Sequence, residues 1–137
     1  MSAKVFIDSN VFLYTFSDKE PLKHTIAKAL VLGGRHTISV QVINEVSSNL
    51  LKKLRQSNAD VQDFIDDCYS RYLIENLSQA VFSKGVSLRE RYKFSYYDSI
   101  IVSSALLSGC QVLYSEDMQH SLLVENQLTI IDPFVQC

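Results

Sequence analysis

The stretch Lys4-Val5-Phe6-Ile7-Asp8-Ser9-Asn10-Val11 decides how the rest of the chain is read. Lys4 to Ile7 is a short apolar run carrying the β-branched residues Val5 and Ile7, the pattern of a buried strand. Asp8-Ser9-Asn10 follows at once, three residues that favour turns and helix N-caps. An apolar strand that stops on an acid and turns into a helix can deliver that acid to the carboxyl edge of a parallel sheet, where such folds gather their chemistry.

Outward from this unit, strand and helix patterns alternate. Val11 to Phe16 reads as a first helical turn or two. Glu20-Pro21 opens a second helix that Gly33-Gly34 ends. Thr37 to Val40 is a second strand. Gln41 to Gln56 is a helix with Val42, Ile43, Val46, Leu50 and Leu54 on one stripe. Ser57 to Asp60 breaks it, and the next helix carries Val61, Phe64, Ile65, Cys68 and Tyr72. Tyr72 to Leu77 holds a third strand, and Ser78 caps a helix running to about Tyr92. Ser95-Tyr96-Tyr97-Asp98 fits a capping box opening a helix to Ser108. Gln111 to Tyr114 and Leu128 to Ile131 are the last strands. Strands separated by helices predict an α/β domain with a parallel sheet.

The chain has 137 residues, which fits one domain, 1–137. It is 47% hydrophobic with only 4 Gly and 2 Pro, so neither disorder nor a long flexible linker is expected. Cys68, Cys110 and Cys137 are odd in number, far apart and lack zinc-ligand spacing, which points to reduced thiols. Val5-Phe6-Ile7 is far too short for a signal-peptide core, and no apolar stretch approaches a bilayer span. The expected location is cytoplasmic, with no membrane partner. The net charge of −2 argues mildly against nucleic-acid binding by bulk attraction. Basic residues nevertheless cluster at Lys52, Lys53 and Arg55, and at Arg89, Arg91 and Lys93. Either cluster suits RNA phosphates or a plain solvated helix face.

Four acids stand where a surface role is awkward. Asp8 ends a strand, Glu45 interrupts the apolar stretch Val42 to Val46, Asp98 sits between Tyr96-Tyr97 and Ile100-Ile101-Val102, and Asp117 follows the strand ending at Tyr114. Each has a plain reading: Asp8 as a helix cap, Asp98 as the partner of Ser95, Asp117 as a turn residue, Glu45 on a polar helix face. Their strength is joint. Two carboxylates about 4 Å apart repel by roughly 4 kcal/mol at an effective dielectric of 20, so convergence demands a counter-charge. Oxygen-only ligands suit Mg²⁺ or Mn²⁺. A carboxylate-held pair of such ions suits in-line attack on a phosphodiester.

At these residues the sequence resembles the PIN-domain nucleases, most closely the VapC-type toxins of bacterial toxin–antitoxin pairs. The resemblance is carried by Val5-Phe6-Ile7-Asp8-Ser9-Asn10-Val11, by Gln41-Val42-Ile43-Asn44-Glu45-Val46, by Tyr97-Asp98-Ser99-Ile100-Ile101 with Ala105, and by Gly109 to Met118. It implies a single PIN-like α/β domain with a five-stranded parallel sheet of order 3-2-1-4-5 flanked by helices. It implies an Mg²⁺- or Mn²⁺-dependent endoribonuclease in which Asp8, Glu45, Asp98 and Asp117 are catalytic metal ligands. Asn10 and Ser115 are then hydrogen-bonders behind the ligands, and Ser9 is read as a helix cap. Alternation along an extended segment lets only one of Glu116 and Asp117 face the metal, and Asp117 is preferred. The implied partners are RNA, a cognate antitoxin and a second copy of the chain.

Rival readings are weaker. A phosphoacceptor receiver domain needs paired acids after the first strand and a Lys after the last, and a phosphatase needs an acid at position 10, which is Asn. A PIN-like RNA- or protein-binding module with weakened catalysis remains the alternative, although all four acids are present. His24, His36 and His120 show no paired spacing; His120 draws notice only as the one three residues past Asp117.

Overall fold

The computed structural model describes residues 3–137. Strand β1 (Val5–Ile7) leads into α1 (Ser9–Tyr14) and α2 (Pro21–Leu32), and β2 (Thr37–Ser39) runs directly into α3 (Val40–Lys52). Then come α4 (Asn58–Arg71), β3 (Leu73–Glu75), α5 (Gln79–Tyr92) and α6 (Tyr96–Leu107). The chain ends with β4 (Val112–Tyr114), β5 (Leu123–Val124) and β6 (Leu128–Ile131).

The strands form one sheet of order β3-β2-β1-β4-β6-β5, parallel throughout except for the antiparallel pair β5/β6. Without β5 this is the expected five-stranded order. The added strand is two residues long and ends in a turn in which Glu125 and Asn126 both have positive φ, 51° and 55°. Two such residues between strands make a primed hairpin turn, for which Asn suits the second place and Glu does not suit the first. Tertiary contacts hold Glu125 there: its N–H donates to Tyr92 Oη, and its carboxylate pairs with Lys84 at 2.6 Å and with Arg91 at 3.6 Å.

The core lies along the sheet. Phe6, Ile7, Ile38, Leu113 and Ile130 are fully buried. Helix α6 is buried continuously from Ser99 to Leu106, polar Ser103 and Ser104 included. Ser103 Oγ donates to the carbonyl of Val81 on α5 at 2.7 Å. Gly85 permits that close helix pairing, because a Cβ there stands 2.5 Å from Ile100 Cδ1. Ser57 and Asp60 close a reciprocal capping box on α4, satisfying two backbone donors at once. Among the described residues no helix is long and apolar enough to cross a membrane.

Strands β1 and β4 are neighbours, with Ile7 in register with Tyr114. From β1 the order runs one way to β2 and β3, and from β4 the other way to β6. Asp8 and Ser115 therefore emerge side by side at the topological switch point, the crevice where such sheets bind ligands.

Candidate active site

Asp8 leaves β1 with extended backbone and caps α1, its Oδ1 accepting from the Ser9 N–H at 2.7 Å. The cap is thus Asp8 rather than Ser9, which is the first helical residue. Capping does not exhaust Asp8. Its Oδ2 accepts from Ser115 Oγ at 2.8 Å and from Asn10 Nδ2 at 3.3 Å. The residue is only 3% exposed. Burial pushes its carboxyl up to about 7; the bonds from Ser115 and Ser9 oppose the rise, and the charges of Glu45 and Asp98 add to it.

Glu45 faces the same site from α3, where Oε2 accepts from Ser9 Oγ at 2.8 Å and Oε1 from Gln41 Nε2 at 2.7 Å. Asp98 sits in the first turn of α6, its N–H donating to Ser95 Oγ. Burial raises its pKa, the Ser95 hydroxyl opposes that, and the charges of Asp117 and Glu45 raise it further. Asp117 stands exposed at the mouth, its Oδ2 accepting from Asn10 Nδ2 at 3.1 Å and its N–H donating to Ser115 Oγ. Asn10 is the hub: its amide nitrogen reaches Asp8, Ser115 and Asp117, and its Oδ1 accepts from the Glu116 N–H.

The neighbouring Glu116 turns away. Its carboxylate accepts from Tyr14 Oη at 2.6 Å and from Lys23 Nζ at 2.6 Å, and the bond to Glu116 is the main reason the Lys23 pKa rises. Among the described residues none of the four clustered acids has an ion-pair partner. Asp8, Glu45 and Asp98 thus feel one another's charge, Asp117 acts on Asp98 and is tied to Asp8 through Asn10, and none of the four is paired with a cation among the described residues.

The basic clusters stand apart from this web. Lys52, Lys53 and Arg55 are exposed at the far end of α3, with Lys52 about 10 Å along the axis from Glu45 at 1.5 Å per residue. Lys53 borders a groove shared with Tyr14 and Asn49. Arg91 lies over the Tyr92 ring and against Glu125, while Arg89 and Lys93 line a separate cavity with Phe94. His120 serves the last strand, its Nδ1 accepting from the Asp132 N–H. Ser9 and Gln41 donate to Glu45 in the site, a role the sequence does not assign them, while Lys23 holds Glu116 away from it. Gln41 carried a signal, one helical turn before Glu45 where i and i+4 side chains meet. Lys23 and Glu116 are 93 residues apart and carried none.

A family model described as the PIN domain matches residues 5–123, and the chain belongs to that family. Solved structures share its fold. A toxin–antitoxin complex from Klebsiella pneumoniae is 21% identical with a TM-score of 0.71, over 95% of this chain and 98% of that one. VapC20 of Mycobacterium tuberculosis, described as a sarcin-ricin loop cleaving toxin, is 16% identical with a TM-score of 0.68, over 83% and 90%. A DNA-bound VapBC from Salmonella typhimurium is 15% identical with a TM-score of 0.64, over 94% and 98%. No curated protein gives a significant sequence match.

The donor set fits a hard divalent cation. All four side chains offer oxygen, and the missing counter-charge is what such an ion supplies. Among the described residues no three acidic, His or Cys side chains already stand as a ready metal cage. Mg²⁺ does not require one, since it keeps several waters and takes one or two carboxylates directly.

Proposed function

We propose that the chain is an Mg²⁺- or Mn²⁺-dependent endoribonuclease and the toxin of a type II toxin–antitoxin pair. The observation that carries the reading is Asp8: nearly buried, hydrogen-bonded to Ser9, Asn10 and Ser115, beside other acids and without a cation of its own. A structural acid buried this deeply is ordinarily paired. Membership of the PIN family and the toxins among its structural neighbours support the same reading.

Asp8, Glu45 and Asp98 hold the cation directly or through water, with Asp117 as the fourth acid at the mouth. The bound ion supplies positive charge that steadies the phosphate oxygens and makes water a better nucleophile. The protein's part is positioning. Ser115 and Ser9 fix the Asp8 and Glu45 carboxylates, and Asn10 spans Asp8 and Asp117. Lys52, Lys53, Arg55, Arg89, Arg91 and Lys93 are the candidates for flanking phosphates, the Arg91 side chain after leaving Glu125. Departure of the ribose 3′ oxygen leaves a 5′ phosphate product. An antitoxin covers the site in the resting pair, a second copy completes a homodimer, and the pair acts in the cytoplasm.

The test is cleavage of a panel of RNAs by wild type and Asp8→Asn with Mg²⁺ or Mn²⁺, then with EDTA. Wild type cuts only with the cation, and the variant is slower by roughly 100-fold or more. Equal cleavage by the two proteins defeats the assignment.

A further inference from the structure

Beside the acids lies a cavity that the proposed reaction does not use. Between the start of α3 and the start of α6, about 380 Å³ is lined by Val40, Gln41, Leu77, Phe82, Tyr96 and Tyr97 among others. It adjoins a polar cavity of about 360 Å³ that contains Glu45, and Asn44 and Tyr97 line both. The size is that of a small-ligand pocket, roughly 300–1,000 Å³.

Three features of its lining are unexplained by folding. Tyr97 is 70% exposed and Tyr96 45%, so neither residue is taken up by the core. The two rings meet edge to face, centroids 5.6 Å apart at 74°, and form an open aromatic corner. Gln41 is 9% exposed, and its Nε2 donates to Glu45 Oε1 and to the Tyr97 carbonyl. Those two acceptors set the amide orientation, which leaves Oε1 buried with no donor. An unsatisfied buried acceptor weakens a fold unless something else supplies its partner.

We propose that this cavity is a nucleobase subsite, holding one unpaired base beside the phosphate that the acids act on. The inference rests on the nuclease reading. The base stacks on Tyr97 with Tyr96 at its edge, and a base N–H reaches Gln41 Oε1 as the exposed Tyr97 ring turns to receive it. Of the two adjoining cavities, one is mainly apolar and aromatic and the other borders Glu45 of the proposed cation site, so together they ask for an occupant with a flat apolar part and an anionic part. A nucleotide in a single strand has both, and an apolar peptide side chain has only the first. A paired base cannot enter, because its faces are already stacked and its donors used.

The experiment uses the full chain with Mn²⁺ and a mixed-sequence pool of short fluorogenic oligoribonucleotides. Tyr97→Ala lowers kcat/KM by roughly 5- to 150-fold, the range that loss of one stacked base predicts. Tyr97→Phe, which keeps the ring face, loses far less than Tyr97→Ala, and circular dichroism checks that both variants fold. On one cleaved oligonucleotide made abasic at each position in turn, wild type loses rate most at a single site flanking the cut. Tyr97→Ala loses no more there, as a shared interaction requires. Cleavage by Tyr97→Ala at the wild-type rate overturns the subsite alone and leaves that face to a protein partner. Equal cleavage of duplex and single strand also overturns it. A wild type that cuts no RNA overturns the nuclease reading and the subsite with it.

Discussion

Two sets of acids in this molecule are treated in opposite ways. Glu116 is half-buried and fully answered: Lys23 at 2.6 Å, the Tyr14 hydroxyl at 2.6 Å. Glu125 is answered likewise by Lys84 and Arg91. Asp8 is buried more deeply than either and has hydroxyl, amide and backbone donors but no cation. Asp117 follows Glu116 directly in the chain, yet it joins Asp8 through Asn10. The fold can thus place lysines and arginines against its structural acids. It places none against Asp8, Glu45, Asp98 and Asp117, and on the proposed reading a cation from outside answers them.

The largest effect expected of this contrast is on metal-free stability. The Asp8 carboxyl stands near 7 in the fold against 3.8 for the free group. The folded protein therefore binds that proton more tightly than the unfolded chain does. The stabilisation is complete below about pH 4 and is lost as pH rises through about 7, a change of order 4 kcal/mol for three units. Asp98 shifts in the same direction. In denaturant melts with EDTA at pH 8, Asp8→Asn is more stable than wild type, and the gap closes as pH falls towards 5. A wild type as stable as the variant at pH 8 breaks the contrast.

Next in size is the division of labour within the Glu116-Asp117 pair. Asp117→Asn lowers RNA cleavage by roughly tenfold or more, as loss of a charge used in the transition state does. Glu116→Gln leaves cleavage within about threefold of wild type. If the two variants exchange these outcomes in a steady-state assay, the fourth acid is Glu116.

Away from the site, Gly85→Ala tests the packing that seats α6 and hence Asp98. Its Cβ meets Ile100 Cδ1, the free end of a buried side chain that can turn aside, so the net loss in a urea melt is about 1 kcal/mol. The smallest effect is that of Glu116→Gln on stability. Both partners of the Lys23 pair retain about a quarter of their exposure, 22% and 24%, so about 1 kcal/mol or less is lost.

Much of this was legible in the sequence, for identifiable reasons. The apolar run ending at Asp8 and the one ending at Tyr114 mark strands by composition, and the strand order implied by the PIN-domain resemblance makes them neighbours. Glu45 and Asp98 interrupt apolar surroundings, but their reading as site residues rests more on spacing and on the resemblance to PIN-domain nucleases. The β5 hairpin was hidden because two residues carry no period, and because Glu at a left-handed position is bad turn chemistry that only tertiary contacts repair. Local propensity favours Ser9 as the cap. Asp8 takes the cap and frees the Ser9 hydroxyl for Glu45. The Lys23–Glu116 pair and the orphaned Gln41 oxygen are products of packing, which no local pattern encodes.

The central claim is that the uncompensated acids form one cation site. The direct measurement is Mn²⁺ binding followed by electron paramagnetic resonance, in which free ion gives the strong signal. Titrated in parallel, wild type depletes the free Mn²⁺ signal, while Asp8→Asn leaves it near the level of buffer alone. Equal depletion by the two proteins, or none by wild type at millimolar protein, contradicts the account.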